Sequence, residues 1–151
     1  MINEIVKGIS RAIYDEFGNG YAIYKENIPQ NFTEPCFSIV HIRSSNDLKL
    51  TNRYMRRNLF DIHYFPEDGR NEKEQMYNVA ERLFLCLEHI FVLDNMCRGA
   101  KMSPEIVDGV LHFFVNYDFF VTRQSDGDDN PMIDINSTTN WEEQTWQRKR
   151  K

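Results

Sequence analysis

The chain begins with a segment whose apolar residues repeat at helical spacing. Ile5, Ile9 and Ile13 recur every four residues and therefore share one face of a helix, while charged side chains lie on the other face. Asn3 is a favoured N-cap residue and Gly18 a favoured stop, which predicts a helix over residues 3–17. A helix with a single apolar face packs that face against another element.

The next part of the chain has the pattern of β-strands. Residues 21–28 are rich in aromatic and β-branched side chains, and residues 36–43 are apolar on both faces, which predicts a central strand. Residues 53–65 alternate between apolar and polar side chains and predict a long strand. Residues 44–52 between them are polar and rich in turn formers, which predicts a connection.

A second helix is indicated by an apolar stripe with intervals of three and four residues. The stripe consists of Met76, Ala80, Leu83, Leu87 and Ile90. Asn71 followed by Glu74 has the shape of a capping box and predicts the start of this helix. Two amphipathic helices and several strands predict an α+β fold, with both helices packed on one face of an antiparallel or mixed sheet.

A terminal β-hairpin is predicted by the pair Asp108-Gly109, which favours a two-residue type I′ turn. This turn places apolar residues opposite each other in four cross-strand pairs: Ile106–Leu111, Pro104–Phe113, Met102–Val115 and Ala100–Tyr117. Pro104 cannot donate a ladder hydrogen bond, so its strand is expected at a sheet edge or at a bulge.

Length and composition describe one globular domain. The 151 residues are 41% hydrophobic, and we expect a single domain over residues 1–123 followed by a polar, flexible tail over residues 124–151. The net charge of −5 argues against a general binder of nucleic acid or anionic membranes. The first residues lack a signal-like apolar stretch and no apolar run approaches the length of a membrane span, so we expect a cytoplasmic protein.

Residues with catalytic or metal-binding chemistry do not form a recognised motif. His41, His63 and His112 lie on predicted strands, but their spacing does not indicate a zinc site, and we interpret them as half-buried or rim residues. The acidic residues 126–130 lack the glycine and glutamate positions of an EF-hand loop and are expected to be a solvated linker. The three cysteines form no CxxC pair and are expected to be reduced thiols. No nucleophile elbow or phosphate-binding loop is present, so we predict no catalytic residue, metal or cofactor.

Two basic clusters stand out in this acidic chain. Lys49 and three arginines lie near the start of the long strand, and residues 148–151 follow Trp141 and Trp146 at the end of the chain. The arginines are either a charged edge that prevents aggregation or a docking or lumen-lining surface. Our hypothesis is that residues 44–57 form an inter-subunit arm composed of Leu48, Leu50, Arg53, Arg56 and Arg57.

Several long strings resemble a family of small phage and prophage proteins described as phage tail terminator-like. They are VDGVLHFFVNYDFFV at residues 107–121, INEIVKGISRAIYDEFG at 2–18, EPCFSI at 34–39, YFP at 64–66 and AERLF at 80–84. The resemblance covers residues 2–121 in order, and no functional residue is carried over from it. The order helix, strands, helix, hairpin is also similar to more distant tail terminators of long-tailed phages.

The resemblance implies a structural role. Such proteins assemble as a hexameric ring on the tail tube, stop its polymerisation and present the surface that the head joins. The implied partners are further copies of the chain, the tail-tube protein and a head-completion or connector protein, in the host cytoplasm during assembly and then in the virion tail. DNA would only pass through the ring lumen. The alternatives are a head-to-tail connector or neck protein and, in another class, a nucleic-acid-binding regulator that uses residues 53–57.

Overall fold

A sheet of long strands carries two helices over the residues that the structure describes. A computed structural model describes residues 1–69 and 71–123, and the backbone of residues 131–134. The helices are α1 (Ile2–Phe17) and α2 (Glu72–Cys86). The strands are β1 (Ala22–Tyr24), β2 (Cys36–Leu50), β3 (Arg53–Phe65), β4 (His89–Val92), β5 (Asn95–Val107), β6 (Val110–Arg123) and β7 (Pro131–Asp134).

The strands form one mixed sheet in the order β1-β2-β3-β6-β5-β4, and β7 pairs with the end of β6. β1 runs parallel to β2, and the other pairs are antiparallel. Ile39, Ile62 and Phe113 face each other across β2, β3 and β6, and they pack in one core with the apolar faces of both helices. The predicted α+β fold is confirmed. No helix among the described residues is long and apolar enough to cross a membrane.

The first helix agrees with its apolar pattern but not with its predicted cap. Ile5, Ile9 and Ile13 are fully buried. The helix begins at Ile2, and the carbonyl of Met1 accepts hydrogen bonds from the first-turn amides, so the predicted cap at Asn3 is wrong. The amide of Gly18 donates to the carbonyl of Tyr14 at 2.8 Å and ends the helix where the sequence predicts.

The second helix is shorter than its apolar stripe. It ends at Cys86, and Ile90 is buried from β4, a strand that the sequence did not reveal. Ile90 is an inward-facing position of the four-residue strand β4, and it also falls at the next position of the helical apolar stripe. The apolar pattern therefore does not distinguish a helix from a strand at this residue. Asn71 caps the helix in a left-handed conformation without a side-chain hydrogen bond, so the predicted capping box is wrong.

The β5–β6 hairpin follows the predicted register only near its turn. Asp108 and Gly109 both have positive φ, at 52° and 74°, as a type I′ turn requires. Ile106 lies opposite Leu111 and Pro104 opposite Phe113. At Pro104, beyond the residues that pair with β4, β5 is an edge among the described strands. The predicted pairs Met102–Val115 and Ala100–Tyr117 are wrong. A bulge between Ala100 and Ser103, with Lys101 at a φ of 54°, places Gly99 opposite Tyr117 instead.

Residues 44–50 are a strand rather than the predicted polar connection. They continue β2 and pair with the first half of β3, and only residues 51–52 form the turn. The polar side chains of these residues are exposed because the outer edge of the strand faces solvent, and the sequence pattern therefore resembled that of a connection. β2 is central only at its start, because β1 covers just residues 36–38. The predicted tail stays a prediction: apart from the backbone of β7, residues 124–151 lie outside the described residues.

Candidate functional site

The predicted arm is an extension of the sheet. Residues 44–50 of β2 pair with residues 53–58 of β3, which pair in turn with residues 117–122 of β6. The outer side of β2 is free beyond Ser38, as far as the described chain extends. We call residues 42–50 the β2 edge, and all of them are exposed. Because the edge belongs to a continuous sheet, it is held rigidly to the core and can present a defined surface.

Two leucines give the β2 edge an apolar component. Leu48 is 59% exposed and Leu50 67% exposed, and they lie next to the turn that joins β2 to β3. Neither side chain belongs to the core. Exposed leucines in an otherwise polar edge strand are a liability for a monomer and are typical of a surface that a partner covers.

The three arginines lie on both faces of β3. Arg53 and Arg57 have the same parity on a regular strand, whereas Arg56 points to the opposite face. Arg57 Nη1 contacts Asp47 Oδ2 at 2.6 Å, and Arg56 Nε donates to Asn46 Oδ1 at 3.3 Å. The cluster that the sequence shows is therefore divided by the sheet, and both of these arginines tie β3 to the β2 edge.

Arg53 and Arg57 also contact the neighbouring strand β6. The Arg53 guanidinium lies over the Phe120 ring, 4.2 Å from its centroid, and Arg57 faces Asp118 across the strands. Asp118 is buried, and this burial raises its pKa although a backbone N–H of Asn58 and the charge of Arg57 favour the ionised form. Arg57 thus lies beside two carboxylates, and its charge offsets part of the cost of burying one of them.

A second polar cluster lies on the sheet face opposite the helices. Asp61 Oδ2 accepts hydrogen bonds from His63 Nε2 on β3 and from His112 Nδ1 on β6, both at 2.9 Å. The two imidazole rings are 4.3 Å apart between centroids. Burial alone would raise the pKa of Asp61, but the hydrogen bonds and charges of the two histidines outweigh it, and the pKa is lowered.

The structure brings together two of the three strand histidines, although their spacing in the sequence does not indicate a zinc site. His41 is separate and bonds to Ser44 Oγ at 2.9 Å. All three are half-buried, as predicted. Asp61, which joins the other two, was missed. Its signal was the i, i+2 spacing from His63, which places both side chains on one face of a strand.

The cysteines are buried or half-buried thiols. Burial raises the pKa to about 11 for Cys36 and to about 12 for Cys86 and Cys97. These thiols are protonated at neutral pH and are therefore poor nucleophiles. The acidic residues 126–130, Trp141, Trp146 and the basic residues 148–151 lie outside the described residues.

Comparison with known proteins identifies the family of the chain. No curated protein matches the chain. Among the solved structures that match, one has 12% identity and a TM-score of 0.39, over 83% of this chain and 98% of the other. A family model described as phage tail terminator protein matches residues 4–129, which is most of the chain. The chain therefore belongs to the phage tail terminator protein family.

Proposed function

We propose that this protein caps the phage tail tube as an oligomeric ring and provides the surface that the head joins. Membership of the tail terminator family makes it a phage tail protein that interacts with other tail and head proteins. The ring, its expected six copies and its action on the tube are our proposal. The observation that carries it is the pair of exposed leucines on the β2 edge, Leu48 and Leu50.

Burial of these two leucines at an interface would stabilise the contact between subunits. Fully burying one leucine side chain contributes about 1.5–3 kcal/mol, so two of them give a small contact a useful driving force. The contact between Arg57 and Asp47 holds the β2 edge in a defined geometry before a partner arrives. We propose that Leu48, Leu50, Arg53, Arg56 and Arg57 form one side of the inter-subunit contact.

A ring also needs a second, different surface on each subunit. Head-to-tail contacts between identical chains join one patch to another patch, and the ring closes when the rotation is right. In the strand order β2 lies towards one end of the sheet and β4 at the other. Near β4, Phe91 is 64% exposed and lies opposite the exposed Met96, with exposed Leu93 in the turn between them. These two apolar patches towards opposite ends of one sheet support a head-to-tail ring.

The test is tail assembly with the double variant Leu48→Asp and Leu50→Asp. Both side chains are exposed, so the variant should fold, and circular dichroism and thermal melting check this. The matched control is Val107→Asp, an exposed aliphatic residue beside a different turn. We expect overlong or headless tails from the double variant and normal phage from the control. Tails of normal length that join heads would overturn the interface.

The phenotype of a gene deletion distinguishes a tail terminator from the alternative function, a head-to-tail connector or neck protein. Loss of a terminator gives tails of uncontrolled length, whereas loss of a neck protein leaves tails of normal length beside unattached heads. Electron microscopy of lysates from the deletion strain distinguishes the two outcomes.

The nucleic-acid-binding regulator is disfavoured by the contacts of the arginines. Arg57 pairs with Asp47, and Arg56 and Arg53 contact Asn46 and Phe120 within the chain. A DNA titration at two salt concentrations tests this alternative. A phosphate-binding protein loses affinity steeply as salt rises, and we expect no such salt-dependent binding here.

We propose contacts with the tail-tube protein and a head-completion or connector protein, assembly in the host cytoplasm, and a final position in the virion tail. DNA only passes through the ring lumen. The role is structural and non-catalytic, without a cofactor, and residues 1–123 form the single folded domain.

A further inference from the structure

We propose that Asp61, His63 and His112 bind one divalent transition-metal ion of the Zn²⁺ type, which links β3 to β6. The sequence predicts no metal site, because the ligands are 2 and 51 positions from Asp61 and form no paired motif. The site arises only where β3 and β6 pair and His63 comes to lie directly opposite His112. It is independent of the β2 edge and goes beyond the proposed capping function.

The three ligand atoms already converge. They lie within 4.8 Å of one another, and Asp61 Oδ2 is 2.9 Å from each of the two imidazole nitrogens. A tetrahedral zinc ion with bonds of about 2.0–2.1 Å separates its ligand atoms by roughly 3.3 Å. The two oxygen–nitrogen distances therefore have to open by a few tenths of an ångström, and the nitrogen–nitrogen separation, which is at most 4.8 Å, has to come to the same value. Both metal-facing nitrogens, His63 Nε2 and His112 Nδ1, must be unprotonated to bind the ion. An imidazolium loses that proton to solvent and keeps the one on its other nitrogen, whereas a neutral ring protonated there loses it to solvent and takes up a proton on its other nitrogen.

The buried carboxylate has an unused oxygen. Asp61 is only 5% exposed, and its Oδ1 has no hydrogen-bond partner among the described residues. Burying an unpaired carboxylate oxygen is costly, and hydrogen bonds to Oδ2 alone do not remove this cost. The carboxylate charge is shared by both oxygens, so a cation beside the group also compensates for the missing partner of Oδ1.

The donor set selects the kind of ion. Two imidazoles and one carboxylate suit zinc and related transition metals, whereas Mg²⁺ and Ca²⁺ prefer oxygen ligands. The histidine side chains are 22% and 23% exposed, so an ion can enter from solvent and water can supply a further ligand. Glu105 lies directly opposite His112 on β5 and adds negative charge on the same face.

The test is a calorimetric titration of the full chain with Zn²⁺, after a chelator has removed any bound metal. The variants are His63→Gln and His112→Gln, and the matched control is His89→Gln, an exposed histidine on β4. We expect one Zn²⁺ per chain, at least tenfold weaker binding in each cluster variant, and wild-type binding in the control. Mg²⁺ in the same titration should give no saturable binding.

Thermal melting with and without Zn²⁺ gives a second readout. An ion that binds only the folded chain raises the melting temperature, and the rise grows with the logarithm of the ratio of free ion to the dissociation constant. We expect this rise in the wild type and in His89→Gln, and no rise in His63→Gln or His112→Gln. The proposal is overturned if Zn²⁺ does not bind saturably, or if binding and the thermal shift persist in both cluster variants. Either result would make the cluster a purely hydrogen-bonded one.

Discussion

The variant Gly8→Ala tests how closely α1 approaches β4. Gly8 is buried in the middle of the helix, and a Cβ atom there would lie 2.6 Å from the carbonyl oxygen of Phe91 and 3.3 Å from Ile90 Cδ1. The first distance is shorter than a carbon–oxygen contact allows. The atom that would have to yield belongs to the backbone of a paired strand, so it cannot rotate away as a side chain would.

Two opposing effects determine the expected sign. In a helix interior, alanine is favoured over glycine by about 0.5–1 kcal/mol, so local propensity alone predicts a more stable protein. Overpacking a core costs typically about 1–3 kcal/mol, and contact with a fixed backbone atom places this site in the upper part of that range. We therefore expect a net loss of about 1–2 kcal/mol in the free energy of unfolding.

Urea denaturation followed by circular dichroism measures this loss. At about 4 °C per kcal/mol for a domain of this size, the melting temperature should also fall by roughly 4–8 °C. Ser10→Ala is the matched control, because it lies half-exposed in the same helix and should be neutral or slightly stabilising. If Gly8→Ala is as stable as the wild type or more so, the close approach of α1 to β4 is refuted.

A turn, a buried hydrogen bond and a buried carboxylate give three further predictions. Gly109→Val should cost about 1–2 kcal/mol in urea denaturation because a β-branched residue resists a φ of 74°, and an unchanged midpoint would contradict the type I′ turn. Tyr117→Phe removes the hydroxyl that donates to the Leu87 carbonyl at 2.7 Å and should cost about 1–2 kcal/mol, whereas an unaltered melting temperature would show that this bond contributes nothing. Asp118→Asn removes a carboxylate whose pKa is raised by burial, so it should stabilise the protein above that raised pKa. The gain should vanish below the ordinary pKa of the carboxyl, where Asp118 is protonated in both states, and a gain independent of pH in urea titrations would count against the argument.

The sequence by itself determined the features whose signal is local. The face of α1 formed by Ile5, Ile9 and Ile13, the extent of β3 and the turn at Asp108 and Gly109 each depend on a few neighbouring residues. Their side-chain period or backbone conformation is a property of the chain segment itself. The α+β class and the family followed from the order of these elements and from long strings of matching residues.

Only the tertiary structure decided the features that depend on a neighbouring strand. The end of α2 before Ile90, the bulge beside Lys101 and the strand character of residues 44–50 all depend on pairing partners distant in sequence. The same holds for the division of the arginines between two faces of β3 and for the meeting of His63 with His112. A side-chain period shows which residues share a face, but strand pairing determines which residues of another segment that face meets.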